Sequence, residues 1–199
     1  MMNKLLPFEQ EIKAYFIQHK IAFQDNSGSF RKLDFSFGDK AAKRHFSFDV
    51  KEKRQPYTKA NWPDTKIPEP HLFIMDDLAA RKILAYSPNS GLAVRDNMSG
   101  CYVFFSVVDL FLMPKKRVNR EIKKNVQGMK GKWMIDLRHG RRFEKLADVF
   151  KEIEIYLNSR EDIFVRILEC YGDYTGEEIP KGGITRRPEH WSTDVKETR

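Results

Sequence analysis

The chain has 199 residues, 41% of them hydrophobic and 13% aromatic, which fits a folded domain with a core and excludes a disordered protein. Lys and Arg number 36 against 28 Asp and Glu, a formal charge of +8 that points to a polyanionic partner, nucleic acid first. Only Cys101 and Cys170 occur, and no apolar run reaches the ~18 residues of a membrane span, which argues against a disulfide framework, a thiolate zinc site and a transmembrane protein.

The first residues, Met1 to Pro7, gain charge too early for a secretory signal, so a cytoplasmic protein is expected. Residues 7–19 read as a helix with Pro7 in its first turn. Phe8, Ile12, Tyr15, Phe16 and His19 form its apolar stripe, flanked by Glu9 and Glu11. Ile21 to Gln24 is a short strand candidate before the turn residues Asp25 to Gly28. Residues 31–37 and 45–51 both alternate with the period of a half-buried strand, joined by the polar stretch Gly38 to Arg44. Residues 55–70 carry Pro56, Pro63, Pro68 and Pro70 and read as irregular. Leu72 to Met75 is a short apolar run, and Asp76 or Asp77 caps a predicted helix through Tyr86. Strands are predicted over 91–95, over the first part of 101–112 and over 133–137. The segment 143–158 is an amphipathic helix on Leu146, Val149, Phe150, Ile153, Tyr156 and Leu157. Residues 163–168 read as a last strand or helix. From residue 172 onward Gly, Pro and charge dominate, which predicts an extended basic tail.

The paired strands fix a register. With Phe37 opposite Phe46, Phe35 faces Phe48 and Leu33 faces Val50. The polar faces then set Asp34 against Asp49 and Lys32 against Lys51. Direct cross-strand neighbours have Cβ atoms roughly 4.5–5.5 Å apart, and like charges there are destabilising. A one-residue slip would turn the charges into the core. A divalent cation between the two carboxylates resolves the conflict, and hard oxygen ligands suit Mg²⁺ or Mn²⁺. The bland alternative makes Asp34, Asp49 and Lys51 solvent-face residues, with the lysine neutralising the acids.

Helix, first strand with Asp34, and second strand with Asp49-Val50-Lys51 resemble the core of the PD-(D/E)xK nuclease superfamily, which has the restriction-endonuclease-like fold. Leu33 stands where that pattern often has Pro, and Asp49 where it more often has Glu. The resemblance implies metal-assisted phosphodiester hydrolysis, with Asp34 and Asp49 holding the metal and Lys51 beside the reacting phosphate. It also implies a helix acid as a further ligand, Glu9 or Glu11, with Glu9 preferred.

Lys53, Arg54, Tyr57 and Trp62 are candidates for holding phosphates and stacking on bases, against the alternative of a surface loop pinned by two aromatics. The basic clusters Lys115 to Arg117, Arg138 with Arg141 and Arg142, and Arg186 with Arg187 are weaker candidates. No phosphate-cradling glycine loop is present, and the histidines lack metal-ligand spacing. The expected architecture is α/β, one domain over 1–171 with a central mixed sheet flanked by helices, and a tail over 172–199. The expected function is Mg²⁺-dependent DNA cleavage, in restriction, recombination, repair or transposition, with protein partners or a homodimer. A non-catalytic DNA-binding or scaffold protein on the same fold is the alternative, and an RNA-processing nuclease a third reading.

Overall fold

Apolar residues at helical spacing bury one side of α1 (Phe8–Gln18), whose Phe8, Ile12 and Phe16 all face inward. The computed structural model describes residues 6–38, 45–62, 65–123 and 126–172. The hairpin loop expected up to Arg44 and the tail expected after Gly172 lie outside the described residues. The chain divides into two compact units, Met1–Arg160 and Glu161–Arg199. Every described strand lies in the first.

The main sheet has six strands, in spatial order β1 (Phe23–Asp25), β2 (Phe35–Phe37), β3 (Phe46–Lys53), β5 (Ser90–Asp96), β6 (Cys101–Ser106) and β9 (Arg141–Phe143). Only β3 and β5 pair in parallel, so the sheet is mixed. The crossover between them passes through β4 (Leu72–Asp76) and α2 (Asp77–Ala85). A second, antiparallel sheet of three strands orders β4, β8 (Val126–Asp136) and β7 (Lys116–Lys123). The architecture is therefore α/β with a mixed sheet flanked by helices, as expected, with a second sheet of which apolar patterning marks parts of β4 and β8 but not β7.

The register of β2 on β3 is the one the phenylalanines dictate: Phe35 opposite Phe48, and Phe37 opposite Phe46. These rings meet Phe16 of α1 and Phe150 of α4 (Leu146–Gly172) in an aromatic layer on one side of the sheet. The other side is a separate apolar cluster. There Leu92, Val94, Val103 and Phe105 pack with Ala79, Ala80 and Ile83 of α2 and with Phe73 and Met75 of β4. Leu33 belongs to this second cluster and not to the phenylalanine layer, because β2 begins only at Phe35 and the alternation does not extend back to it. Asp49 and Lys51 stand beside Leu92 and Val94 in the parallel ladder, so the charged face of β3 looks toward α2 and not toward open solvent.

Candidate functional site

Asp49 is fully buried at 0% exposure and Asp34 at 7%, with Lys51 half-buried between them. Burying a carboxylate is costly unless it is paired. Two ammonium groups meet that need. Lys51 Nζ stands 2.7 Å from Asp49 Oδ2 and 3.5 Å from Asp34 Oδ2. Lys82 Nζ, from α2, stands 3.7 Å from Asp49 Oδ1 and donates to the Lys32 carbonyl at 2.8 Å. Neither contact with Asp49 has the alignment of a hydrogen bond, and both of its carboxylate oxygens are buried without a hydrogen-bond partner. Asp49 is thus balanced in charge by two lysines without accepting an aligned hydrogen bond from either.

Asp34 is positioned differently from a ladder residue. Its Oδ2 accepts the Val50 N–H at 2.9 Å, so a side chain takes the place that a strand carbonyl would fill. Its own carbonyl accepts the Asn26 N–H at 2.8 Å, closing the loop before β2. Burial pushes the Asp34 carboxyl up to about 6; the neighbouring Asp49 adds to the rise, while Lys51 and the Val50 N–H oppose it. Burial pulls the Lys51 ammonium down, but Asp49 and Asp34 together outweigh it and lift it above its ordinary value.

One cavity of about 310 Å³ is lined by Asp34, Asp49, Lys51, Lys82 and Glu9. The two helix acids are separated by their partners. Glu9 opens onto this cavity, whereas Glu11 is engaged by Arg95 and by the Tyr102 hydroxyl. Asp76 and Lys130 also line the cavity. Asp76 sits at the N-cap position of α2 but does not cap it; its carboxylate is held by Lys130 at 2.8 Å and by Lys132. Among the described residues no three His, Cys, Asp or Glu side chains converge closely enough to hold a metal ion by themselves. The donor set is two buried carboxylates with open oxygens and a third acid in the same cavity. That suits Mg²⁺ or Mn²⁺, since Mg²⁺ usually takes one or two carboxylates and completes its shell with water and substrate phosphate.

The residues expected to meet nucleic acid are placed otherwise. Lys53 is 1% exposed, its ammonium donates to the Pro70 carbonyl, and burial lowers it below its usual range. Trp62 is buried with Leu72 and Met134 and lies under the Arg120 guanidinium at 4.2 Å. Tyr57 is half-buried, edge-on to Trp62 and Phe73. In this structure both Trp62 and Lys53 are buried, each already in contact with the protein itself. Arg54 remains exposed and pairs with Glu52, which is itself taken inward by Arg95 and the Phe8 N–H. Sequence reasoning missed Lys82, Lys130 and Asp76. They come from α2, β8 and its partner β4, and no spacing along the chain links them to Asp49.

No protein-family model matches the chain, and no curated protein matches it. Among solved structures the chain is similar to Hjc, a Holliday junction resolvase from the archaeal hyperthermophile Archaeoglobus fulgidus. The match has 10% sequence identity and a TM-score of 0.39, over 69% of this chain and 98% of that one. At that distance the likeness carries no argument about function. Among the described residues no helix is long and apolar enough to cross a membrane.

Proposed function

We propose that this chain is a metal-dependent nuclease that hydrolyses DNA phosphodiester bonds, using Mg²⁺ or Mn²⁺ at Asp34 and Asp49 with Glu9 in the same cavity. The observation that carries the reading is Asp49. Its carboxylate is fully buried beside a second buried carboxylate, and the two lysine ammonium groups that balance its charge leave both oxygens without an aligned hydrogen bond, an arrangement that a divalent cation in the cavity would complete. The resemblance of Asp34 and Asp49-Val50-Lys51 to the PD-(D/E)xK pattern supports the same assignment. When bound, such a cation polarises the phosphate and lowers the pKa of bound water.

The chain's own residues divide the remaining work. Asp34 is anchored through the Val50 N–H, so its free oxygen has a fixed direction. Lys51 is held above its ordinary pKa and is therefore an ammonium at neutral pH, not a general base. Its role is to orient the attacking water and offset negative charge that develops on the phosphate. Lys82 supplies a second positive charge on the far oxygen of Asp49. The surplus of +8 favours DNA approach.

The second reading is a DNA-binding protein without catalysis. The observation in its favour is that Lys51 and Lys82 already neutralise Asp49. Supercoiled plasmid incubated with Mg²⁺, with Mn²⁺ and with EDTA separates the two. Cleavage is expected only with metal. Asp49→Ala and Lys51→Ala are expected to lose it while binding DNA normally in Ca²⁺. Full cleavage by either variant, or cleavage in EDTA, overturns the assignment.

A further inference from the structure

Phe30 has the highest exposure of the large apolar side chains among the described residues, at 91%. Exposed single apolar residues are ordinary on protein surfaces. This one is not ordinary in its place, because it lines the same cavity as Asp34, Asp49 and Lys51. A second exposed apolar side chain, Leu78 at 57%, lines that cavity from the start of α2. The cavity thus joins a charged group of residues to two apolar side chains that the fold does not cover.

The loop that carries Phe30 is braced. The Ser29 N–H donates to the Asn26 carbonyl at 2.7 Å, and the Asn26 N–H donates to the Asp34 carbonyl at 2.8 Å. Asp25 accepts from the Ser27 N–H at 3.0 Å and its hydroxyl at 2.7 Å, and pairs with Lys13 of α1. Burial would raise Asp25, but Lys13 and Ser27 outweigh it and hold the carboxyl at about 2. The ring is therefore presented on a pre-formed loop whose far end is Asp34 itself. Little ordering entropy remains to be lost when the ring meets a ligand.

An aromatic ring beside a phosphate site is suited to the face of a nucleobase. Paired duplex hides those faces in the stack and offers only base edges in its grooves. We infer that Phe30, together with Leu78, stacks against an unpaired nucleobase next to the phosphate held at Asp34, Asp49 and Lys51, so that the preferred substrate is DNA with a base already out of its stack. This inference rests on the nuclease reading and adds a substrate class to it.

The test uses the full chain in Ca²⁺ and three fluorescent DNA probes of one sequence: paired duplex, duplex with one unpaired base, and single strand. Fluorescence anisotropy gives the affinities of wild type, Phe30→Ala and Phe30→Trp. Wild type is expected to prefer the two probes with unpaired bases. Phe30→Ala is expected to weaken those two by about tenfold, the size of one base–aromatic stack, with paired duplex changed by less than about twofold. Phe30→Trp is expected to restore the preference. Unchanged thermal unfolding of Phe30→Ala, expected for so exposed a side chain, excludes misfolding. Equal weakening on all three probes, or none, overturns the role of Phe30 while leaving the nuclease reading intact. A wild type that neither binds any probe nor cleaves in Mg²⁺ overturns both.

Discussion

Asp34 gives the site a pH dependence that can be read without activity. Its folded carboxyl is held at about 6, against ~3.9 for an unperturbed Asp. Between those values the folded chain keeps a proton that the unfolded chain has released. Stability of the metal-free protein is therefore expected to fall as pH rises through that window, by about 2–3 kcal/mol in all, and to level off above it. Urea unfolding in EDTA at a series of pH values from about 4 to about 7 measures this. Asp34→Asn keeps an oxygen for the Val50 N–H and loses the charge, so it should remove most of this decline. A parallel decline in both proteins would mean that another group titrates. Millimolar Mg²⁺ at neutral pH is expected to raise the wild-type melting temperature. A cation that binds only the folded state adds about 2.7 kcal/mol at a hundredfold excess over its dissociation constant. Asp34→Asn should gain much less, and an equal gain would place the cation elsewhere.

At the scale of elements, a buried ionic knot sets where α1 meets the sheet. Arg95 of β5, 7% exposed, donates to Glu11 of α1, to Glu52 of β3 and to the Leu6 carbonyl. Glu52 also receives the Phe8 N–H at the start of the helix. Arg95→Ala would leave Glu11 with only the Tyr102 hydroxyl and Glu52 with only Arg54 and the Phe8 N–H, and removing one partner of a buried pair costs about 3–5 kcal/mol. Urea unfolding should register a loss of that order, and a loss within ~0.5 kcal/mol, as for a surface substitution, would mean that the knot is idle. How much of this was legible depends on what apolar patterning reports. The Phe35–Phe48 and Phe37–Phe46 register was legible because one face of the hairpin is buried. The direct Asp34–Asp49 and Lys32–Lys51 ladder pairs that the register implied do not form, because β2 begins at Phe35 and Asp34 instead bonds Val50 through its side chain. Strand β7 was invisible because Lys116 to Lys123 places charge on both faces. Lys53 and Trp62 looked exposed because nothing in a linear sequence shows the Pro70 carbonyl or the Arg120 guanidinium that receives each. The convergence of Glu9, Asp34, Asp49 and Lys51 on one cavity follows the order of helix and strands, whereas Lys82 arrives through the crossover.

Over the whole molecule the charge surplus is less free than +8 suggests. Much of the positive charge on the second sheet is already engaged: Arg117 with Asp77 at 3.1 Å, Lys130 and Lys132 with Asp76, and Arg120 over the Trp62 ring. Nor does the tail contribute a surplus. Residues 172–199 hold five Lys or Arg against six Asp or Glu, so the label basic fails on its own composition, and the excess lies in residues 1–171. DNA binding should still weaken with salt, because each phosphate contact releases condensed counterions, but with a slope set by the unpaired ammonium and guanidinium groups. The measurement is the dissociation constant for one duplex from about 50 to about 200 mM salt, plotted as logarithms. Deleting residues 173–199 is expected to leave that slope unchanged. Lys130 is 44% exposed at its side chain and lines the cavity. Because Lys130 is already engaged with Asp76, Lys130→Gln is expected to leave that slope nearly unchanged, and a drop of about one phosphate equivalent would mean that DNA displaces Asp76 from it. A flat wild-type slope would rule out a phosphate-dominated interface. A slope that collapses on truncation would assign the contacts to Arg186 and Arg187 and move the DNA track away from the cavity that holds Asp34, Asp49 and Lys51.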